Sequence, residues 1–79
     1  MHDRNNPLGI LFTSHGLTTH KAAKKLGVSY WALRGILTGT QQKIPSNILM
    51  ALVTSGMTSW DEAGEIASTY QAWRQSVAS

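Results

Sequence analysis

Gly16, Gly27, Gly39 and Gly56 each close a segment whose apolar residues recur at helical spacing. The segments open on Asn6-Pro7, Thr18, Ser29 and Pro45-Ser46, residues that favour the first turn of a helix. Glycine after the last periodic residue is the usual helix stop. A chain cut at these intervals has room only for short helices before Met57. No segment alternates with the period of a strand, and both prolines sit at helix starts.

The spacing therefore predicts an all-α domain of five short helices. Leu8, Leu11, Phe12 and His15 share the inner face of the first, with His15, near its end, either a capping or a packed residue. Ala22, Ala23 and Leu26 line the second, while Lys21, Lys24 and Lys25 point away. Ala32, Leu33, Ile36 and Leu37 turn inward from the third. Ile48, Leu49, Leu52 and Val53 pack from the fourth. A last helix over 58–77, capped by Thr58 or Ser59, carries a stripe of Trp60, Ala63, Ile66, Ala67, Tyr70, Trp73 and Val77. Asp61, Glu62 and Glu65 fall in its first two turns, where the helix dipole favours acids. Met50 and Met57 read as core filler. Residues 1–6 read as a flexible N-terminus, ending on the capping asparagine.

Composition excludes several classes. With 79 residues the chain holds one domain, and with no cysteine it has neither disulfides nor a cysteine zinc site. His2, His15 and His20 are too few and too irregular for a metal cage. The longest apolar run, Ile48 to Val53, is far short of the roughly 20 residues of a membrane span. The N-terminus lacks an apolar signal core, so the expected location is a bacterial cytoplasm. No Ser-His-acid set, carboxylate pair or glycine-rich phosphate loop is present, so a non-enzyme is expected, with no cofactor and no small-molecule ligand.

The charge is unevenly placed. The net value is +3, yet no acid falls between Arg4 and Trp60, a stretch that carries Arg4, Lys21, Lys24, Lys25, Arg34 and Lys43. Ordinary solvated helices mix signs. A surface of one sign suits a polyanion such as nucleic acid.

Residues 18–38 form a recognisable constellation. Two short helices meet at Gly27-Val28-Ser29, with Ala23 small enough for a close crossing and Gly27 suited to a left-handed turn. Leu33 and Ile36 anchor the second helix of the pair. Its other face carries Ser29, Tyr30, Trp31, Arg34 and Thr38, a set that suits a major groove. The run from Leu17 to Ser29, with its Ala-x-x-Leu-Gly-Val-Ser core, followed by Leu33, Ile36 and Gly39, resembles the helix-turn-helix of phage repressor and Cro-type (lambda-repressor-like) regulators. The resemblance covers about residues 8–57. It implies a five-helix DNA-binding domain in which the third helix reads bases. Thr19 stands where the family often has a phosphate-contacting glutamine, His20, Lys21 and Lys24 replace common acids, and Leu37 replaces a charge. The last helix matches no consensus of the family.

On this reading double-stranded DNA is the partner. The expected contact residues are Thr18, Thr19, Lys21, Ser29, Tyr30, Trp31, Arg34, Thr38, Gln41 and Lys43. Arg34 suits guanine, and Tyr30 and Trp31 suit thymine methyls and sugar edges. Trp31 has a second destination in the core. His20 is either a phosphate contact or simply exposed. Ser29 serves first as a cap. A domain this small needs two half-sites for useful specificity, so a homodimer on an inverted repeat is expected. Ile66, Tyr70 and Trp73 are assigned to the dimer contact, with the covering of the monomer core as the alternative for Tyr70 and Trp73. Trp60 is assigned to the domain's own core. The expected role is a small phage- or plasmid-type repressor. A protein-binding module docking on RNA polymerase, or an antitoxin-type regulator, is the competing reading.

Overall fold

The computed structural model describes residues 6–78, with side chains through Ser76. Residues 1–5, Arg4 among them, and the side chain of Val77 lie outside the described residues. The order is α1 (Pro7–Ser14), α2 (Thr19–Leu26), α3 (Tyr30–Leu37), α4 (Ser46–Thr54) and α5 (Trp60–Ala78). Among the described residues there is no strand. Nor, among them, is any helix long and apolar enough to cross a membrane.

Local signals set the boundaries. Asn6 caps α1, Thr18 caps α2 and Ser29 caps α3, each through its own side-chain oxygen. Ser59 forms a reciprocal box with Glu62: its hydroxyl accepts from the Glu62 amide at 3.2 Å, and its amide donates to the carboxylate at 3.4 Å. The predicted stops all adopt positive φ.

The stop at Gly27 sets the angle between α2 and α3. It is left-handed at φ 71°, and both its amide and that of Val28 donate to the Ala23 carbonyl. No atom lies within 4 Å of where a Cβ would stand, so substitution there meets backbone strain alone. Gly27→Val is expected to lower stability by about 1–3 kcal/mol, read as a fall in the thermal midpoint. Gly27→Asn, which tolerates this conformation, is expected to recover part of the loss. An unchanged melt for Gly27→Val would show that the turn does not need a left-handed residue.

α3 packs against α2 and α1, and α5 covers α1 and α4. The centre holds Leu8, Leu33, Ile36, Ile48, Leu52 and Tyr70, all fully buried. Ala22 and Ala23 are buried at the α2 crossing, and Ile44 closes the core below the α3–α4 loop.

Several expectations are corrected. Asn6 is not part of a flexible end. It is fully buried, and its amide nitrogen donates to the carbonyls of Ile36 and Leu37 at the far end of α3, at 3.1 and 3.3 Å. His15 takes the capping role of its two expected ones, through its backbone, and its side chain is exposed rather than packed on the inner face. Met50 is exposed because Ile48 and Leu52 face inward, and a residue midway between them lies about 200° around the helix. Trp60 is 61% exposed. It is the first residue of α5, and the side chains that turn into the core before it are Met57 and Thr58.

Candidate nucleic-acid interface

α2 and α3 present a continuous polar and aromatic surface. Thr18 Oγ1 accepts from the Lys21 amide at 3.2 Å, which fixes the start of α2. Lys21, Lys24 and Lys25 are exposed beyond it, and Thr19 is half-buried. Ser29 Oγ accepts from the Trp31 amide at 3.2 Å and starts α3. Leu33, Ile36 and Leu37 then hold α3 from beneath. Hence the opposite side of the helix faces out, with Trp31, Arg34 and Thr38 exposed and Tyr30 half-buried.

The outward side chains are wired together. The His20 ring from α2 stacks on Tyr30, with centroids 4.1 Å apart and planes within 11°. Trp31 meets Tyr30 edge to face at 5.2 Å. Arg34 Nη1 donates to Tyr30 Oη at 3.1 Å, and the guanidinium carbon lies 5.9 Å from the Trp31 ring centre. Of the two destinations open to Trp31, the structure takes the outward one, at 72% exposure. Thr38 Oγ1 donates to the Arg34 carbonyl at 2.9 Å and shares a contact with Thr40 Oγ1, so its hydroxyl is engaged at the C-terminal end of α3.

The loop after α3 is clamped from behind by α5. Tyr70 Oη donates to the Gln41 carbonyl at 2.7 Å. Arg74 donates from Nε to the Gly39 carbonyl at 2.9 Å and from Nη1 to the Gln42 carbonyl at 3.3 Å. Peptide planarity then turns the amides of Gln42 and Lys43 away from α5. Lys43 is exposed, while the Gln41 side chain lies across α3, where a Cβ on Gly35 would meet its Cγ at 3.1 Å. Burial pushes the Tyr70 hydroxyl above the ordinary phenol range, against the opposing charge of Arg74. It therefore stays a neutral donor at physiological pH.

This clamp corrects the assignment of the dimer contact. Tyr70 is fully buried and Trp73 only 7% exposed, so both serve the core of their own chain. Ile66 is half-buried and packs on the same core. Their stripe has the helical spacing of an interface, but α1, α4 and the α3–α4 loop already cover it. Arg74 had no role in the sequence reading. The only local signal for it is its position one turn after Tyr70.

Comparison with models of known protein families, with curated proteins and with solved structures found no match to this chain.

Proposed function

We propose that this chain is a sequence-specific regulator that binds double-stranded DNA, with α2-turn-α3 as a helix-turn-helix of the phage repressor and Cro type. The observation that carries the reading is the outward face of α3. A short helix held from below by Leu33, Ile36 and Leu37 shows solvent an arginine and an indole, beside lysines that no acid accompanies on α2. α3 enters the major groove, and Arg34 donates to a guanine edge. The start of α2, with Lys21, lies over one stretch of phosphates, and Lys43 with the outward amides of its loop lies over another. The resemblance of residues 8–57 to that family supports the same arrangement. Two copies on an inverted repeat give the specificity that one small domain lacks, and occlusion of a promoter is the resulting action. Tyr70 and Trp73 take no part in that pairing.

The test is selection of binding sites from a random duplex pool, followed by mobility shifts across a salt series. Enrichment of an inverted repeat is expected, with log affinity falling against log salt at about −0.9 per phosphate neutralised. Lys43→Ala is expected to weaken all sequences alike and to reduce the slope by about 1. No enrichment together with a flat salt response removes the reading. The second reading, a module that docks on another protein such as a polymerase, is favoured by exposed Trp60, Met50 and Ile10. That outcome would be the one left standing.

A further inference from the structure

The cluster of His20, Tyr30, Trp31 and Arg34 is more ordered than a groove-facing surface requires. An arginine on an exposed helix samples many rotamers, and fixing it on a base loses that freedom. Here the guanidinium is already held at two points, by the Tyr30 oxygen at 3.1 Å and above the Trp31 ring at 5.9 Å. Tyr30 is itself held by the stacked His20 ring from the neighbouring helix. Because the Tyr30 oxygen accepts from Arg34, its own proton is left for another acceptor. The pair therefore presents donors, the remaining guanidinium N–H groups together with the Tyr30 hydroxyl.

We propose that Arg34 and Tyr30 act as one preorganised donor array, with His20 and Tyr30 as positioning residues, and that the array selects a guanine whose neighbouring pyrimidine carries a 5-methyl group. This rests on the reading of α3 as the groove-facing helix. Guanine shows the major groove two acceptors, N7 and O6, whereas adenine and cytosine each place an amino group there that would meet another donor. The indole beside the array has no hydrogen-bonding need along most of its surface. Its complement is apolar, and in unmodified DNA the apolar group of the major groove is the thymine methyl.

The experiment uses the duplex recovered by selection, with single-atom replacements. Changing the read guanine to 7-deazaguanine is expected to weaken wild-type binding about tenfold. Changing the adjacent thymine to uracil is expected to weaken it about fourfold, the effect of one methyl group. Trp31→Ala should bind the thymine and uracil duplexes equally. Tyr30→Phe, which keeps the ring but loses the hydroxyl, should lower the preference for guanine over adenine about fivefold. His20→Ala should lower it in the same direction, and neither change should add to Arg34→Ala. Thermal midpoints within a few degrees of wild type would separate these effects from unfolding. The inference is overturned if Tyr30→Phe and His20→Ala keep the full guanine preference that Arg34→Ala loses. It is equally overturned if wild-type protein ignores the uracil change; in both cases DNA binding itself stands. If selection enriches nothing, the underlying reading falls and this inference falls with it.

Discussion

Asn6→Asp is expected to destabilise the domain by about 3–5 kcal/mol at neutral pH, although aspartate caps helices as well as asparagine does. The native side chain performs two tasks at once. Its oxygen accepts from the amides of Leu8 and Gly9 at 3.0 and 3.1 Å, which caps α1. Its nitrogen donates to the Ile36 and Leu37 carbonyls, which closes the end of α3. Aspartate keeps the first task and reverses the second, placing a carboxylate oxygen against two carbonyls with no exposure to water. Asn6→Ala removes both tasks without adding a charge, and about 2–4 kcal/mol is expected there. For a domain of this size each kcal/mol moves the midpoint by about 4–8 °C, so circular dichroism melts resolve the two variants. The variants should also differ with pH. Burial against two carbonyls is expected to raise the folded-state pKa of the carboxyl in Asn6→Asp. Its stability is therefore fully present below the ordinary aspartate value of about 3.9 and is lost as pH rises through the folded-state value. Asn6→Asp melting like wild type at pH 7 would show that the bond to α3 contributes nothing.

The same residue marks where sequence reading stops. That Asn6 caps α1 was legible, because Pro7 and the apolar spacing lie within two turns of it. That it also holds α3 was not, because the partners lie 30 and 31 residues away and no local pattern reports them. The caps Thr18 and Ser29 and the left-handed Gly27 follow from neighbours in sequence, and the structure places them as expected. The outward face of α3 was legible from its periodicity, and the Tyr30–Arg34 bond lies within reach of the same logic, since i and i+4 residues are neighbours on a helix. The His20 stack was not, because it joins two helices whose rotation depends on the turn. On α5 the spacing correctly identifies a stripe but not what covers it. A buried stripe and an intermolecular stripe have the same period. Trp60, which shares that period and is exposed, shows that the error runs in both directions.

Trp73→Ala is expected to leave the chain largely unfolded at 37 °C. Removing a buried tryptophan costs about 3–5 kcal/mol, comparable to the whole stability of a domain this small. The indole is the cover between α5 and the loop after α3. Two of its ring carbons stand 3.1 Å from where a Cβ on Gly39 would lie, a glycine at φ 81°, and its ring packs 5.6 Å from Tyr70. Losing it opens a cavity beneath the carbonyls that Tyr70 and Arg74 hold. The indole nitrogen makes no hydrogen bond, so Trp73→Phe sacrifices volume alone and should keep a fold that melts between wild type and Trp73→Ala. Melts at two protein concentrations tenfold apart carry the discrimination. A residue of the monomer core lowers the midpoint by the same amount at both concentrations, whereas a residue of a dimer contact lowers it most where the wild type is dimeric. Sedimentation of Trp73→Phe then reports assembly with the fold intact, and it should match wild type. A Trp73→Ala protein that melts like wild type but sediments as a smaller species would return α5 to the dimer contact and overturn the packing described here.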